Sequence, residues 1–289
     1  MSDSIIYLNG EFFGKEDAKI SVFDHGFLYG DGVFEAFKVQ DGFIFGFNEH
    51  MARLYDSAKI VDLKIPLDPD EFKEAVIETV RRNGQKNCYV RPQVTRGVGA
   101  LGHNPDTCEK PTIVIYVTGG SAIKKSSGLK VIVSAYRRPP SYILPPECKI
   151  TNYCNNILAK LEAQAAGVPD AIMLDVRGFV AEGCAWNIFV IKNQIVSTPS
   201  ATSSILKGIN RNLVVDIVKK LGYPMEERDI SISELFTADE VFCTGTSVEI
   251  TPIIQVNGRT VGNGSQGTIT KDINREYDKV KRELGINVF

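Results

Sequence analysis

Lys149 stands in the stretch PPECKITNYCNN, residues 145–156, between a Pro-Pro break and a run that turns helical. Asn152 and Tyr153 follow it within one turn. An amine desolvated in a cleft has a lowered pKa and acts as a nucleophile. For a lone lysine near a helix start the commoner reading is a solvated side chain, so the neighbouring motifs decide. In AEGCAWN, Glu182 falls in strand-like sequence where an acid is unexpected. It is either an acid that pairs with a ring-nitrogen cation or an exposed strand-edge glutamate. In ILKGINRN, residues 205–212, a glycine precedes a helix, and helix N-termini bind phosphate; the plainer reading is a loop-to-helix turn. CTGTSVEITP, residues 243–252, places small and hydroxyl residues after the strand EVF. That is a second donor-rich anion turn or a polar loop.

The elements that must position these groups are readable from periodicity. SIIYLNGEFF and EAFKVQDGFIFGF read as hairpins turning at Asn9-Gly10 and Asp41-Gly42. Met51, Leu54, Tyr55 and Ala58 share one helix face, as do Phe72, Ala75, Val76 and Val80. The second of these helices has an acidic first turn, a basic last turn and a stop at Asn83-Gly84. CYVRPQVTRGVG and PTIVIYVTGG read as strands. The small, polar run GGSAIKKSSG then marks a boundary. This divides the chain into a small N-terminal domain, 1–118, an interdomain loop, 119–128, and a large C-terminal domain, 129–289. The C-terminal part opens with the strand LKVIVSAYRR and the helix NNILAKLEAQAAG. Residues 171–199 read as an antiparallel meander turning at Arg177-Gly178 and Lys192-Asn193. A helix follows in NRNLVVDIVKKLG, another is capped by Ser231 and Glu234, and DINREYDKVKREL is amphipathic. The class is mixed α/β (α+β) in two domains, without internal repeats or low-complexity tracts.

The 289 residues are 43% hydrophobic and 24% charged, with a net charge of −2 and a pI near 6.0. That balance gives no pointer to nucleic acid or membrane. The N-terminal sequence has no signal-peptide pattern, and no apolar run approaches the roughly 20 residues that span a bilayer. Six cysteines without a CxxC, and three scattered histidines, argue against a zinc site or disulfide framework and for a reducing cytoplasm.

An amine nucleophile, an acid for a pyridinium nitrogen and two donor-rich turns are the parts a pyridoxal phosphate site requires. With these motifs in this order, from VFDHGFLYGDGVFEAF to GTITKDINREY, nearly the whole chain resembles the branched-chain aminotransferase group of fold-type IV pyridoxal-phosphate enzymes. The resemblance implies that Lys149, in K-x-x-N-Y, carries pyridoxal 5′-phosphate as a Schiff base. It implies that Tyr153 hydrogen-bonds the cofactor's phenolic oxygen and that Glu182 pairs with the pyridine nitrogen. Arg53 in HMARLYDSAK is similar to the family's phosphate arginine, although an exposed helix charge is the alternative. The backbone amides of Ile209 and Asn210 would hold the phosphate, with Thr246 as a further ligand. For substrate the matching positions are Tyr29, Phe34, Tyr89, Arg91 and the backbone at Thr246-Ser247. Aromatic walls suit an aliphatic side chain, and the Arg91 fork suits the distal carboxylate of glutamate or 2-oxoglutarate. For Tyr29 and Phe34 ordinary core packing is the alternative.

The implied reaction converts branched-chain L-amino acids and 2-oxoglutarate to 2-oxo acids and glutamate, in a homodimer or higher homo-oligomer whose neighbour contributes part of each pocket. The sequence departs from the family pattern at Trp186, the only tryptophan, where a glutamate is usual; the exchange is expected to alter pocket polarity and substrate preference. The linker also lacks aromatics that some relatives carry, which implies a less apolar lid. Trp186 keeps D-amino-acid and (R)-amine aminotransferases in play. Aminodeoxychorismate lyase and a non-catalytic cofactor-binding protein are the remaining alternatives, the last disfavoured by the intact set Lys149, Tyr153 and Glu182.

Overall fold

A computed structural model describes residues 4–119 and 128–289. The chain forms two compact units: Met1–Ser121 with Cys148–Asn152 and Leu284–Phe289, and Ala122–Glu147 with Tyr153–Glu283. The loop expected at 119–128, and its role as a lid, fall on residues that lie, but for the two end positions, outside those described.

The first unit is built on β1 (Ile5–Leu8), β2 (Glu11–Gly14), β3 (Gly32–Phe34), β4 (Phe37–Gln40), β5 (Phe43–Ile44), β6 (Cys88–Thr95), β7 (Thr112–Gly119) and the C-terminal strand Ile286–Asn287. The sheet runs from the C-terminal strand through β5, β4, β6, β7 and β1 to β2, with β3 also pairing β6. Both expected hairpins form. Asn9 and Gly10 have φ of 51° and 100°, Asp41 and Gly42 52° and 87°, the positive values that a two-residue turn between twisted strands demands. The unit's helices are α1 (His25–Tyr29), α2 (Phe47–Ile60) and α3 (Pro69–Asn83). Helix α2 buries Met51, Leu54 and Ala58. Tyr55, at its margin, donates its hydroxyl to the Leu67 carbonyl at 2.7 Å. Helix α3 buries Phe72, Val76 and Val80, starts in a capping box of Asp68 and Glu71, and stops at Gly84 with φ 63°. Strand β6 alternates: Cys88, Val90, Pro92 and Val94 are buried, whereas Tyr89, Arg91 and Gln93 are half-buried on the opposite face.

The second unit contains β8 (Leu129–Arg137), β9 (Asp170–Leu174), β10 (Val180–Gly183), β11 (Asn187–Lys192), β12 (Ile195–Thr198), β13 (Met225–Glu227), β14 (Glu240–Gly245), β15 (Glu249–Val256) and β16 (Arg259–Thr260). Their order is β10-β9-β8-β15-β14-β11-β12-β13, with β16 on β15. Four helices accompany them: α4 (Cys154–Ala165), α5 (Ile209–Lys220), α6 (Ile232–Thr237) and α7 (Thr268–Glu283). Strand β11 is buried on both faces. Ile188 and Val190 join a cluster with Ile172, Trp186, Val241 and Leu235. Phe189 and Ile191 join another with Val214, Val218, Phe242, Ile273 and Tyr277.

Two local expectations need correction. The meander is interrupted: β10 pairs β9 at one end of the strand order, while β11 lies between β14 and β12. The next turn is centred on Asn193-Gln194, with φ of 50° and 66°, one residue beyond the expected Lys192-Asn193, because both central positions must be left-handed.

Candidate active site

In the first unit the Lys149 segment behaves as one more strand beside β3. Ile150 bridges Val33 in antiparallel register. The Phe34 N–H donates to the Lys149 carbonyl at 3.0 Å, and the Thr151 N–H to the Gly32 carbonyl at 2.9 Å. From the other side, Ser57 on α2 accepts the Lys149 N–H at 3.0 Å, and the Ser57 carbonyl accepts the Cys148 thiol at 3.2 Å. Thr151 donates its hydroxyl to the Gly30 carbonyl at 2.6 Å. The main chain of Lys149 is thus fixed through both its N–H and its carbonyl, which limits the search of the long side chain. At Gly32 the close approach is obligatory, since a Cβ would lie 2.7 Å from the Val94 carbonyl oxygen.

Phe34, 4% exposed, is the floor on which two basic side chains rest. Lys149 Nζ lies 4.6 Å from its ring centroid and the Arg91 guanidinium carbon 3.8 Å. The structure therefore brings together Lys149, Phe34 and Arg91. Arg91 Nε is buried without a hydrogen-bond partner, and its Nη2 reaches Gln93 Oε1 at 3.4 Å. Tyr89 shares the β6 face of Arg91. Tyr29, at the end of α1, stacks edge-on with His25 and lies 5.2 Å, centroid to centroid, from His103. Its hydroxyl accepts the Gly102 N–H at 2.8 Å. Arg53 extends from α2 to Glu35, Nε to Oε1 at 2.6 Å and Nη2 to Oε2 at 2.9 Å.

In the second unit Glu182 sits at a β-bulge between Val180 and Glu182 and is 5% exposed, which removes the exposed strand-edge alternative. Arg138 Nε lies 3.0 Å from its Oε1. Its Oε2 accepts from Asn187 Nδ2 at 3.1 Å and from the Leu206 N–H at 3.1 Å. Arg138 is itself held by Asn156 Oδ1 at 3.1 Å, and Asn156 donates to the Cys184 carbonyl at 2.7 Å. A buried carboxylate tied to a guanidinium is held in one orientation.

Asn187 also donates to the Leu206 carbonyl at 2.8 Å. This links Glu182 to the start of α5, where Ile209 and Asn210 are the first helical residues. The cap is Gly208, with no side-chain cap bond and no acidic residue in the first turn. A Cβ at Gly208 would lie 2.1 Å from Asn187 Oδ1, so only glycine lets the helix start approach so closely. Its N–H groups and the dipole favour an anion. The Asn210 side chain is turned away, accepting from the Tyr277 hydroxyl at 2.9 Å. Opposite Asn187 in the β11–β14 register stands Thr244, whose buried hydroxyl has no hydrogen-bond partner. Thr246 and Ser247 form the half-buried turn after β14. Tyr153 caps α4, its carbonyl accepting the Ile157 N–H at 2.9 Å.

Sequence reasoning missed Ser57, Arg138, Asn156 and Asn187, which hold the expected groups. A polar residue spaced within a motif could have pointed to Asn156 and Asn187; nothing local marks Ser57 or Arg138. Trp186 is 4% exposed and belongs to the core. Its indole N–H donates to Asp170 Oδ2 at 3.1 Å, and its ring covers Gly183, where a Cβ would lie 2.1 Å away. These contacts lend no support to its expected influence on pocket polarity.

An amine locked by its own main chain, and a braced carboxylate linked to a bare helix start, are the groups expected of the fold-type IV class. The Amino-transferase class IV family model matches residues 32–256, and the chain belongs to that family. A Methanocaldococcus jannaschii protein carrying the provisional name of branched-chain-amino-acid aminotransferase is 44% identical over 284 residues, 98% of this chain and 99% of that protein. The crystal structure of the T.th. branched-chain amino acid aminotransferase with pyridoxamine 5′-phosphate superposes with a TM-score of 0.95 at 34% identity, covering 100% of both chains. That of the Thermoproteus uzoniensis branched-chain aminotransferase with norvaline gives 0.92 at 34% identity, covering 99% of both.

Proposed function

We propose that this chain is a pyridoxal 5′-phosphate-dependent aminotransferase that takes the amino group of branched-chain L-amino acids and passes it to 2-oxoglutarate. The observation that carries the reading is Lys149, held through its N–H and carbonyl with its amine over the Phe34 ring beside Arg91. The residues fit the cofactor. Gly208 forms a cradle that a Cβ would fill, the start of α5 lacks an acidic first turn, and Thr244 holds a buried hydroxyl with no partner.

When bound, the cofactor supplies an aldehyde carbon for amine exchange and a protonated ring that accepts the electron pair of the substrate α-carbon. Lys149 would anchor it, and its Nζ, once displaced by the substrate amine, would take the proton from the substrate α-carbon. Glu182, oriented by Arg138, would hold the proton on the ring nitrogen. Tyr153 binds the phenolic oxygen. Arg53, the amides of Ile209 and Asn210, and Thr246 bind the phosphate. Tyr29, Phe34 and Tyr89 line the aliphatic chain, the backbone at Thr246-Ser247 orients the substrate, and Arg91 receives the distal carboxylate of the acceptor. The norvaline of the T. uzoniensis structure supports an aliphatic donor. Among the described residues no helix is long and apolar enough to cross a membrane; we assign the protein to the cytoplasm, as a homodimer or higher homo-oligomer.

A half-reaction tests the assignment. Holoenzyme mixed with L-leucine, without any oxo acid, should lose its visible cofactor band and gain the pyridoxamine band near neutral pH. D-Alanine or an (R)-amine should leave the spectrum unchanged. Conversion by D-alanine or the amine alone overturns the reading.

A further inference from the structure

The first unit buries a carboxylate that has not been given a task. Glu35 follows Phe34 in VFEAF and is 0% exposed. It grips Arg53 side-on, with Nε and Nη2 each donating to a different carboxylate oxygen, at 2.6 and 2.9 Å. His50, one turn earlier on α2, places Nδ1 2.7 Å from Oε2, and the Ala36 N–H adds 3.3 Å to the same oxygen. The Glu35 N–H donates to the Pro92 carbonyl at 2.9 Å, so the main chain cannot carry the carboxylate away. Burial alone would raise the carboxyl, but Arg53 and His50 outweigh it and hold Glu35 well below the ordinary carboxylate range. Burial pushes His50 down, against the opposing pull of Glu35.

Such an arrangement is a poor means of gaining stability, because well-packed apolar residues would serve as well. It is a good means of fixing a guanidinium, whose five donors lie in one plane. Holding Nε and Nη2 fixes that plane and the rotamer of a long side chain at once. We propose that Glu35 is a positioning residue: its two-point grip, locked by His50, presets Arg53 as the ligand of the cofactor's phosphate. This rests on the reading of Arg53 as the phosphate arginine. It assigns Glu35 and His50 a role in cofactor affinity rather than in chemistry.

Full-length apoprotein is titrated with pyridoxal 5′-phosphate and, separately, with pyridoxal, which lacks the phosphate. Binding is followed by absorbance, and the apoprotein's melting temperature is recorded. Glu35→Gln should weaken pyridoxal phosphate about tenfold, equal to about 1.4 kcal/mol, and leave pyridoxal within about twofold. Arg53→Gln should show the same selectivity more strongly, and the double variant should bind no worse than Arg53→Gln alone. If Arg53→Gln is phosphate-selective but Glu35→Gln binds like the wild type, the positioning role falls and the Arg53 reading stands. If Arg53→Gln is not selective, the Arg53 reading falls and takes the proposal with it. Equal weakening of both ligands by Glu35→Gln would mean a purely structural acid and overturn the proposal. Should Glu35→Gln not fold, His50→Gln takes its place under the same criteria.

Discussion

Arg91 lies over the Phe34 ring, 3.8 Å from its centroid, with its Nε buried and without a partner. A guanidinium so placed is costly unless a ligand completes its hydrogen bonds. Arg91→Leu should raise KM for 2-oxoglutarate roughly 10- to 100-fold, the worth of about 1.5–3 kcal/mol for a charge-assisted bond. The half-reaction rate with L-leucine should change little. Equal losses with both substrates in stopped-flow measurements would refute a role confined to the acceptor. At this scale the sequence showed what was out of place locally: a lysine after a Pro-Pro break, an acid in a strand. It did not show what holds them. Ser57 acquires its meaning only by meeting the Lys149 N–H 92 residues later in the chain. Arg138 does so only against Glu182. Glu35 reads as one more residue of an apolar run until Arg53 and His50 close on it.

Among the elements, helix boundaries and hairpins were legible where side-chain chemistry dictates the backbone, as at Asn9-Gly10, Asp41-Gly42 and the caps of α3 and α6. The order of strands was not, because pairing partners are chosen by packing rather than by local propensity. Thus β10 and β11, adjacent in sequence, take distant places in the strand order. The six-residue α6 has few internal bonds and depends on its ends. Ser231 accepts the Glu234 N–H at 3.3 Å, and Glu234 accepts the Ser231 N–H at 2.9 Å. Ser231→Ala should cost about 1 kcal/mol in urea denaturation while pyridoxal phosphate affinity stays unchanged. A wild-type unfolding midpoint would show that the cap is dispensable.

The molecule as a whole should be acid-sensitive. Glu35 is depressed by Arg53 and His50 against its burial, Glu227 by Arg211, Asp229 by Arg177, Glu234 by Arg228 and Asp239 by Lys192. Each folded carboxyl binds its proton less readily than the unfolded one. The stability this contributes is therefore complete above the ordinary carboxylate pKa of about 4, begins to be lost as pH drops below it, and is gone only once pH has fallen through the depressed folded values. Urea midpoints should be flat from pH 7 to about 5 and fall steeply toward pH 3. A midpoint unchanged at pH 3 would contradict the assignment of these pairs.

The chain enters the first unit three times: as far as Ser121, again for Cys148–Asn152, and finally for Leu284–Phe289. Lys149 therefore travels with a unit most of which was synthesised before it, and it is flanked on both sides by sequence belonging to the other. No single gene breakpoint separates the two units with their own residues intact. A fragment ending at Ser121 lacks both Ile150, which bridges Val33, and the strand paired to Phe43-Ile44. Recombination that exchanged one unit between relatives would have to splice at four junctions. Inheritance of the pair is in that sense indivisible, and the lysine is the stitch that makes it so.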